Sequence, residues 1–197
     1  MPPQWDSRAL GIVLFAHGSG SSRLSPRNNY VARVLREAGI GTLLLDLLTP
    51  DEERSTATRF DIALLGTRLR TAADWLRTQD ATLAPPLGLF GASTGAAAAL
   101  RLAADPAVPV AAVVSRGGRP DLAGRDALRS AEAPTLLIVG AEDDGVIDLN
   151  RMAFEQLGCP KEMVIVPGAG HLFEEPGTLE EVARLASGWF AGHFARS

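Results

Sequence analysis

The sequence has one cysteine, Cys159, and one lysine, Lys161. A lone cysteine excludes an internal disulfide framework and fits a reducing compartment. Arginine supplies every other basic side chain, which, with the many alanines, reflects genome composition rather than function. The three histidines and the cysteine do not stand at metal-ligand spacing, so no metal or cofactor is expected. No basic block interrupts a chain of net charge -4, which argues against a nucleic-acid surface. No apolar run is long enough to span a bilayer. The start, Met1-Pro2-Pro3-Gln4-Trp5-Asp6, has neither the basic flank nor the apolar core of a signal peptide. The expectation is a cytoplasmic protein of one domain over residues 1–197, a monomer or homodimer with no nucleic-acid or membrane partner.

What is present is an alternation of short apolar runs and longer amphipathic stretches. Ile12-Val13-Leu14-Phe15-Ala16 predicts a buried strand ending at His17-Gly18-Ser19-Gly20. After a polar loop, a helix runs through Tyr30 to Arg36 and closes at Gly39. Further strands are expected at Thr42 to Leu47, Leu87 to Phe90, Val110 to Ser115, Thr135 to Val139 and Met163 to Val166. The segment Thr49 to Arg59 is charged and reads as an exposed, mobile loop. Ile62, Leu65, Leu69, Ala72 and Leu76 form one helical stripe, Ala96 to Ala104 a second helix, and Asp148 suits a cap for a third. The last helix opens on an expected capping box, Thr178 with Glu181, and buries Leu179, Val182, Ala186, Trp189 and Phe190. Strands alternating with helices predict an α/β fold: about six parallel strands, right-handed crossovers and helices on both faces.

In such sheets ligands bind beyond the carboxyl ends of the strands. His17, Ser93, Arg116, Asp143 and His171 all follow strands, so the fold would bring them to one edge. Gly91-Ala92-Ser93-Thr94-Gly95 is a weak signal alone. Between a strand and a helix it fits a nucleophile elbow, with small neighbours for the sharp turn. The competing reading is that Ser93 merely caps the helix. A serine nucleophile needs a base, and His171, in a glycine-rich turn after the last strand, is the better candidate than His17 or His193. The base needs an orienting carboxylate. Asp143 suits this place, with Asp144 its main rival. The oxyanion hole would combine the N–H of Thr94 with that of Ser19, or failing that of Gly20.

His17-Gly18, Gly91-Ala92-Ser93-Thr94-Gly95, Gly140-Ala141-Glu142-Asp143 and Gly170-His171-Leu172-Phe173 together resemble the α/β-hydrolase superfamily. Within it, the short lidless form is similar to the dienelactone hydrolase-like branch, over nearly the whole chain from Gly11. The resemblance implies an ester or related acyl bond as substrate, a triad at Ser93, Asp143 and His171, and no cofactor. Two departures stand out. Dienelactone hydrolases proper carry a cysteine in the elbow where this chain has Ser93, and the leading antiparallel strands of the superfamily are missing.

Between Gly118 and Pro134 there is room only for a short helix, so no lid domain is expected and the cleft should suit small acyl substrates. Substrate contacts are expected from His17, Gly18, Gly20 and Arg116, with His17 fixing its loop rather than acting in catalysis. Arg116 either clamps a substrate carboxylate or forms an internal ion pair with Glu142 or Asp144; the ion pair is the favoured expectation. Arg119 and Arg23 are further candidates for the cleft, and Arg23, Arg27, Asn28 and Asn29 for stabilising the loop. The same residues would also serve an acyltransferase or a peptidase, or the fold could bind a small molecule without chemistry. Haloalkane dehalogenation is disfavoured, because it needs a carboxylate at the elbow.

Overall fold

In the first strand every side chain is buried, and its alternation is visible only in where each points. Ile12, Leu14 and Ala16 join one apolar cluster, while Val13 and Phe15 join another on the opposite face. A strand covered on both faces reads as a continuous hydrophobic run. The computed structural model describes residues 9–196, so the reading of Met1 to Asp6 lies outside the described residues.

The elements run β1 (Ile12–Ala16), α1 (Pro26–Glu37), β2 (Gly41–Leu44), α2 (Thr56–Arg59), α3 (Ile62–Leu76), α4 (Asp80–Leu83), β3 (Leu87–Ala92) and α5 (Thr94–Ala103). They continue β4 (Ala112–Arg116), α6 (Arg125–Ser130), β5 (Thr135–Gly140), α7 (Asp144–Gln156), β6 (Lys161–Val166) and α8 (Thr178–Phe194). All six strands pair in parallel, in the order β2-β1-β3-β4-β5-β6. The order reverses between β1 and β3, and the crevice beyond their carboxyl ends is where such sheets bind ligands. Ala16 pairs with Gly91, and Ala92 pairs with Arg116, so the loops after β1, β3 and β4 leave the sheet side by side.

One face is covered by α3 and α5 with Leu65, Leu69 and Leu100, the other by α1 and α8 with Val31, Leu35, Val182 and Phe190. Between β4 and β5 lie only a short 3₁₀ turn, Pro120–Ala123, and α6, so no lid domain enters there. No helix of the described residues is long and apolar enough to cross a membrane.

Several local expectations change. The Thr49–Arg59 stretch is not a loop: it forms a 3₁₀ turn, Glu52–Arg54, followed by α2, whose cap Ser55 accepts from the Thr58 N–H. Helix α1 begins four residues before Tyr30, because Ser25 caps it and Pro26 opens it. In α3 the fully buried alanine is Ala73 rather than Ala72. The expected capping box of α8 does not form. Gly177, in the left-handed region, takes the cap position, the Thr178 hydroxyl donates to the Glu175 carbonyl, and Glu181 pairs with Arg184. Leu179 and Trp189 are half-buried there, while Ala183 and Phe194 are buried. Asp148 does not cap a helix either; it lies inside α7 and pairs with Arg151.

Phe190 is fully buried where α8 crosses the sheet, its ring stacked with Phe194 and packed against the bare backbone of Gly88. Phe190→Ala should lower the unfolding free energy by about 3–5 kcal/mol. Leu24→Ala, at an exposed site, should change it by less than ~0.5 kcal/mol. Urea denaturation of both variants checks the contrast.

Candidate active site

Ser93 connects β3 to α5 with φ 49° and ψ -124°. For a residue with a Cβ this is a strained backbone, which persists only when its surroundings enforce it. They do so from several sides. The Ser93 carbonyl accepts the N–H groups of Ala96 and Arg119 at 3.1 and 3.0 Å, and its N–H meets the Arg116 carbonyl at 3.4 Å. Gly95 lets α5 start against β1, since a Cβ there would lie 2.1 Å from the Ala16 carbonyl oxygen. Gly18 likewise lets the loop after β1 back onto the serine, where a Cβ would sit 2.7 Å from Ser93 Cβ.

Ser93 and Asp143 both occupy helix N-cap positions, of α5 and α7, yet neither side chain makes a capping hydrogen bond. Serine and aspartate are among the best capping residues. Here the Asp143 carboxylate instead holds His171: His171 Nδ1–H donates to Oδ2 at 2.6 Å. With Nδ1 protonated by this bond, Nε2 is the basic ring nitrogen. Asp144 makes no such contact. The turn that carries His171 is anchored by Phe173, fully buried at φ 55°. It is also shaped by Glu175, whose carboxyl is held below the usual range by hydrogen bonds from its own backbone N–H and that of Gly170.

Gly18, Ser19, Ser93, Arg116, His171 and Leu172 line a cavity of about 170 Å³. Gly20, Ser21 and Arg27 also border an open groove of about 520 Å³ that reaches Glu53, Arg54 and Arg59. A third cavity, apolar and about 500 Å³, lies by Ile12, Leu87 and Ala111 at the amino ends of the strands, the edge where these sheets do not place chemistry.

The predicted donors of the oxyanion hole are near one another. Thr94 is the first residue of α5, so its N–H has no intrahelical acceptor. The Ser19 N–H donates to Thr94 Oγ1 at 3.1 Å, and the Gly20 N–H donates to Glu53 Oε2 at 3.2 Å. His17 is buried and does not line the cavity. Its Nε2 accepts the Leu47 N–H at 2.8 Å and its Nδ1 faces the Gly18 carbonyl at 2.9 Å, so it braces the loop.

Arg116 lines the cavity, but the ion pair expected for it with Glu142 or Asp144 does not form. Among the described residues no carboxylate reaches it. Its Nη2 donates to Asn28 Oδ1 at 3.0 Å, its Nε has no partner, and its guanidinium stands 5.9 Å from the Phe173 ring centre. Burial, and then the nearby charge of Arg27, lower its pKa to about 10, so it stays charged at neutral pH. Arg119 does not reach the cleft; it pairs bidentately with Asp121 at 2.8 Å. Arg23 pairs with Asp46, and Asn29 donates to the Arg23 and Ser25 carbonyls, as loop braces. Sequence reasoning missed Asn150, which is fully buried and donates to the Gly118 carbonyl at 2.9 Å, holding the loop after β4.

No protein-family model matches the chain. Among solved structures, the crystal structure of a dienelactone hydrolase from Anabaena variabilis is 59% identical, with a TM-score of 0.90, covering 94% of this chain and 87% of that one. The chain belongs to the dienelactone hydrolase family. Est1E from Butyrivibrio proteoclasticus shares the fold of this family member at 15% identity and a TM-score of 0.79, covering 95% of this chain and 90% of its own. Two proteins of Mycobacterium tuberculosis, provisionally named phosphoribosyl transferases, are 62% identical over 183 residues, 93% of this chain. The chain spans only 41% of their length.

The strain at Ser93 is measurable. Ser93→Gly removes the Cβ from an unfavourable backbone and should raise stability by ~1 kcal/mol, after the entropy that glycine loses on folding. Ser93→Ala keeps the Cβ and should raise it far less. Equilibrium denaturation of the two variants separates these outcomes.

Proposed function

We propose that the chain is a serine hydrolase that cleaves small carboxylic esters through an acyl-enzyme. The observation that carries this reading is the pairing of two withheld caps: Ser93 uncapped and strained at one helix start, and Asp143 bound to His171 at another, with Ser93 and His171 on one cavity wall.

In this mechanism Ser93 Oγ attacks the ester carbonyl carbon while its proton passes to His171 Nε2. Asp143 keeps the ring in the tautomer that accepts this proton and stabilises the imidazolium that results. The carbonyl oxygen, now anionic, takes the N–H of Thr94 at the positive end of α5 and the N–H of Ser19. The latter rests on the Thr94 hydroxyl before reaction, and turning from a neutral acceptor to an anion is favourable. Collapse of the intermediate breaks the bond to the alcohol oxygen, which His171 protonates. Water, deprotonated by His171, then attacks the acyl carbon; the bond to Ser93 Oγ breaks, His171 returns the proton to that oxygen, and the free acid leaves.

The cavity of about 170 Å³ beside Ser93 suits a short acyl group. Arg116 favours an acyl group with a carboxylate of its own. A buried guanidinium whose described contacts are an amide oxygen and an aromatic ring is poorly compensated, and an anionic substrate would supply the missing charge. The transferase name of the longer mycobacterial relatives calls for no activated serine, and this reading places that activity outside the segment they share with this chain.

A fluorophosphonate probe should label the protein, and labelling should disappear in Ser93→Ala and His171→Ala. Among p-nitrophenyl esters of graded acyl length, acetyl and propionyl should outpace octanoyl. A hemisuccinate ester should be preferred over its neutral counterpart by about tenfold, and Arg116→Ala should abolish that preference. An unlabelled wild-type protein would defeat the hydrolase reading, and a preference indifferent to Arg116→Ala would defeat the anionic one.

A further inference from the structure

The segment between β2 and α3 makes a chain of contacts that ends on the loop carrying Ser19. Arg68 of α3 grips Glu52 with two hydrogen bonds of 2.6 Å, and its Nη1 also donates to the Leu47 carbonyl at 2.9 Å. Glu52 additionally accepts the Thr49 N–H at 2.8 Å. These bonds, led by those from Arg68, lower the Glu52 pKa to about 2, so the pair is intact throughout the neutral range. Arg68 thus pins both ends of the 47–52 stretch to a helix whose apolar stripe is locked into the core.

From that stretch two bonds reach the loop after β1. The Leu47 N–H donates to His17 Nε2, and the other ring nitrogen faces the Gly18 carbonyl. One residue beyond Glu52, the Glu53 carboxylate takes the Gly20 N–H. The loop is therefore held at His17 and at Gly20, on either side of Ser19. The charged acceptor at Gly20 also removes that N–H from contention as an oxyanion donor, which leaves Ser19 as the donor from this loop. Glu53 Oε1 is buried without a partner, an arrangement that costs free energy and persists where a specific geometry depends on it.

We propose that residues 47–53 clamp the oxyanion loop, and that Glu53 and Arg68 are positioning residues that fix the Ser19 N–H for the transition state. The proposal rests on the hydrolase reading above for its catalytic consequence, but the clamp itself is a property of the loop. A donor displaced by even a fraction of an ångström loses much of its value to a developing charge, because only preorganised dipoles stabilise it without reorganisation.

The test uses Glu53→Ala, Glu53→Gln, Arg68→Met and Arg68→Lys, with two readouts. On p-nitrophenyl acetate, Glu53→Ala and Arg68→Met should lose roughly tenfold in kcat with KM within about twofold, and fluorophosphonate labelling should slow in parallel. Glu53→Gln keeps an oxygen acceptor for Gly20 and should recover most of the rate; Arg68→Lys, unable to grip Glu52 bidentately, should recover little. In hydrogen exchange, the 17–21 peptide should exchange faster in Glu53→Ala and Arg68→Met, while peptides of α8 stay as in the wild type. Unchanged exchange over 17–21 overturns the clamp whether or not the wild type is active. A raised KM at constant kcat also overturns it, since that would make Glu53 a substrate contact. Absence of labelling in the wild type counts against the hydrolase reading alone, and the exchange result still decides the clamp.

Discussion

The strained backbone at Ser93 is the constraint on which the rest of the site depends. A serine at φ 49° does not stay there unaided. It is held because β3 and α5 meet across it at the reversal point of the sheet, and because the chain has no side chain at Gly18 or Gly95, where any Cβ would collide with the elbow or with β1. This turn places the serine at the start of a helix, which its side chain does not cap. Parallel pairing then delivers the loops after β4, β5 and β6 to the same edge in chain order, so that Arg116, Asp143 and His171 arrive without further design.

Two aspects of local chemistry are sacrificed at this edge. Helices α5 and α7 begin at residues that rank among the best caps, and neither residue caps. Arg116 is buried with an asparagine oxygen and an aromatic ring as its described contacts, and burial lowers its pKa to about 10. Departures from local optimality are expected where function competes with stability. Other elements follow the ordinary rules: Ser25 caps α1, Asp61 caps α3, and Glu52 meets Arg68 with both oxygens.

Much of this was legible in the sequence. The four inner strands are buried on both faces and the apolar runs are punctuated by glycine and proline, so β1 is read with its observed bounds and the other five to within a few residues. The alignment of Ser93, Asp143 and His171 along one edge follows from strand order alone. The start of α1 was missed, with the helix placed at Tyr30, although Ser25-Pro26, a cap followed by a first-turn proline, signals it. What was not legible depends on contacts between distant segments. The 49–59 stretch has no apolar stripe, and its helical turns are held by the Arg68 pair and by the Ser55 cap, so charge alone suggested a loop. Likewise, nothing near Arg116 in sequence points to Asn28, which reaches it from α1. Thr178 and Glu181 match a capping pattern, but Gly177 adopts the cap position because its left-handed backbone turns the chain into α8 one residue earlier.

The central claim is that Ser93 carries the acyl group during turnover. The most direct measurement is mass spectrometry of the protein quenched in acid during the hydrolysis of a slowly deacylating ester. The account predicts a single added acyl mass, mapped to the peptide containing Ser93 and absent from Ser93→Ala. Hydrolysis that proceeds with no adduct, or an adduct on any other residue, would contradict it.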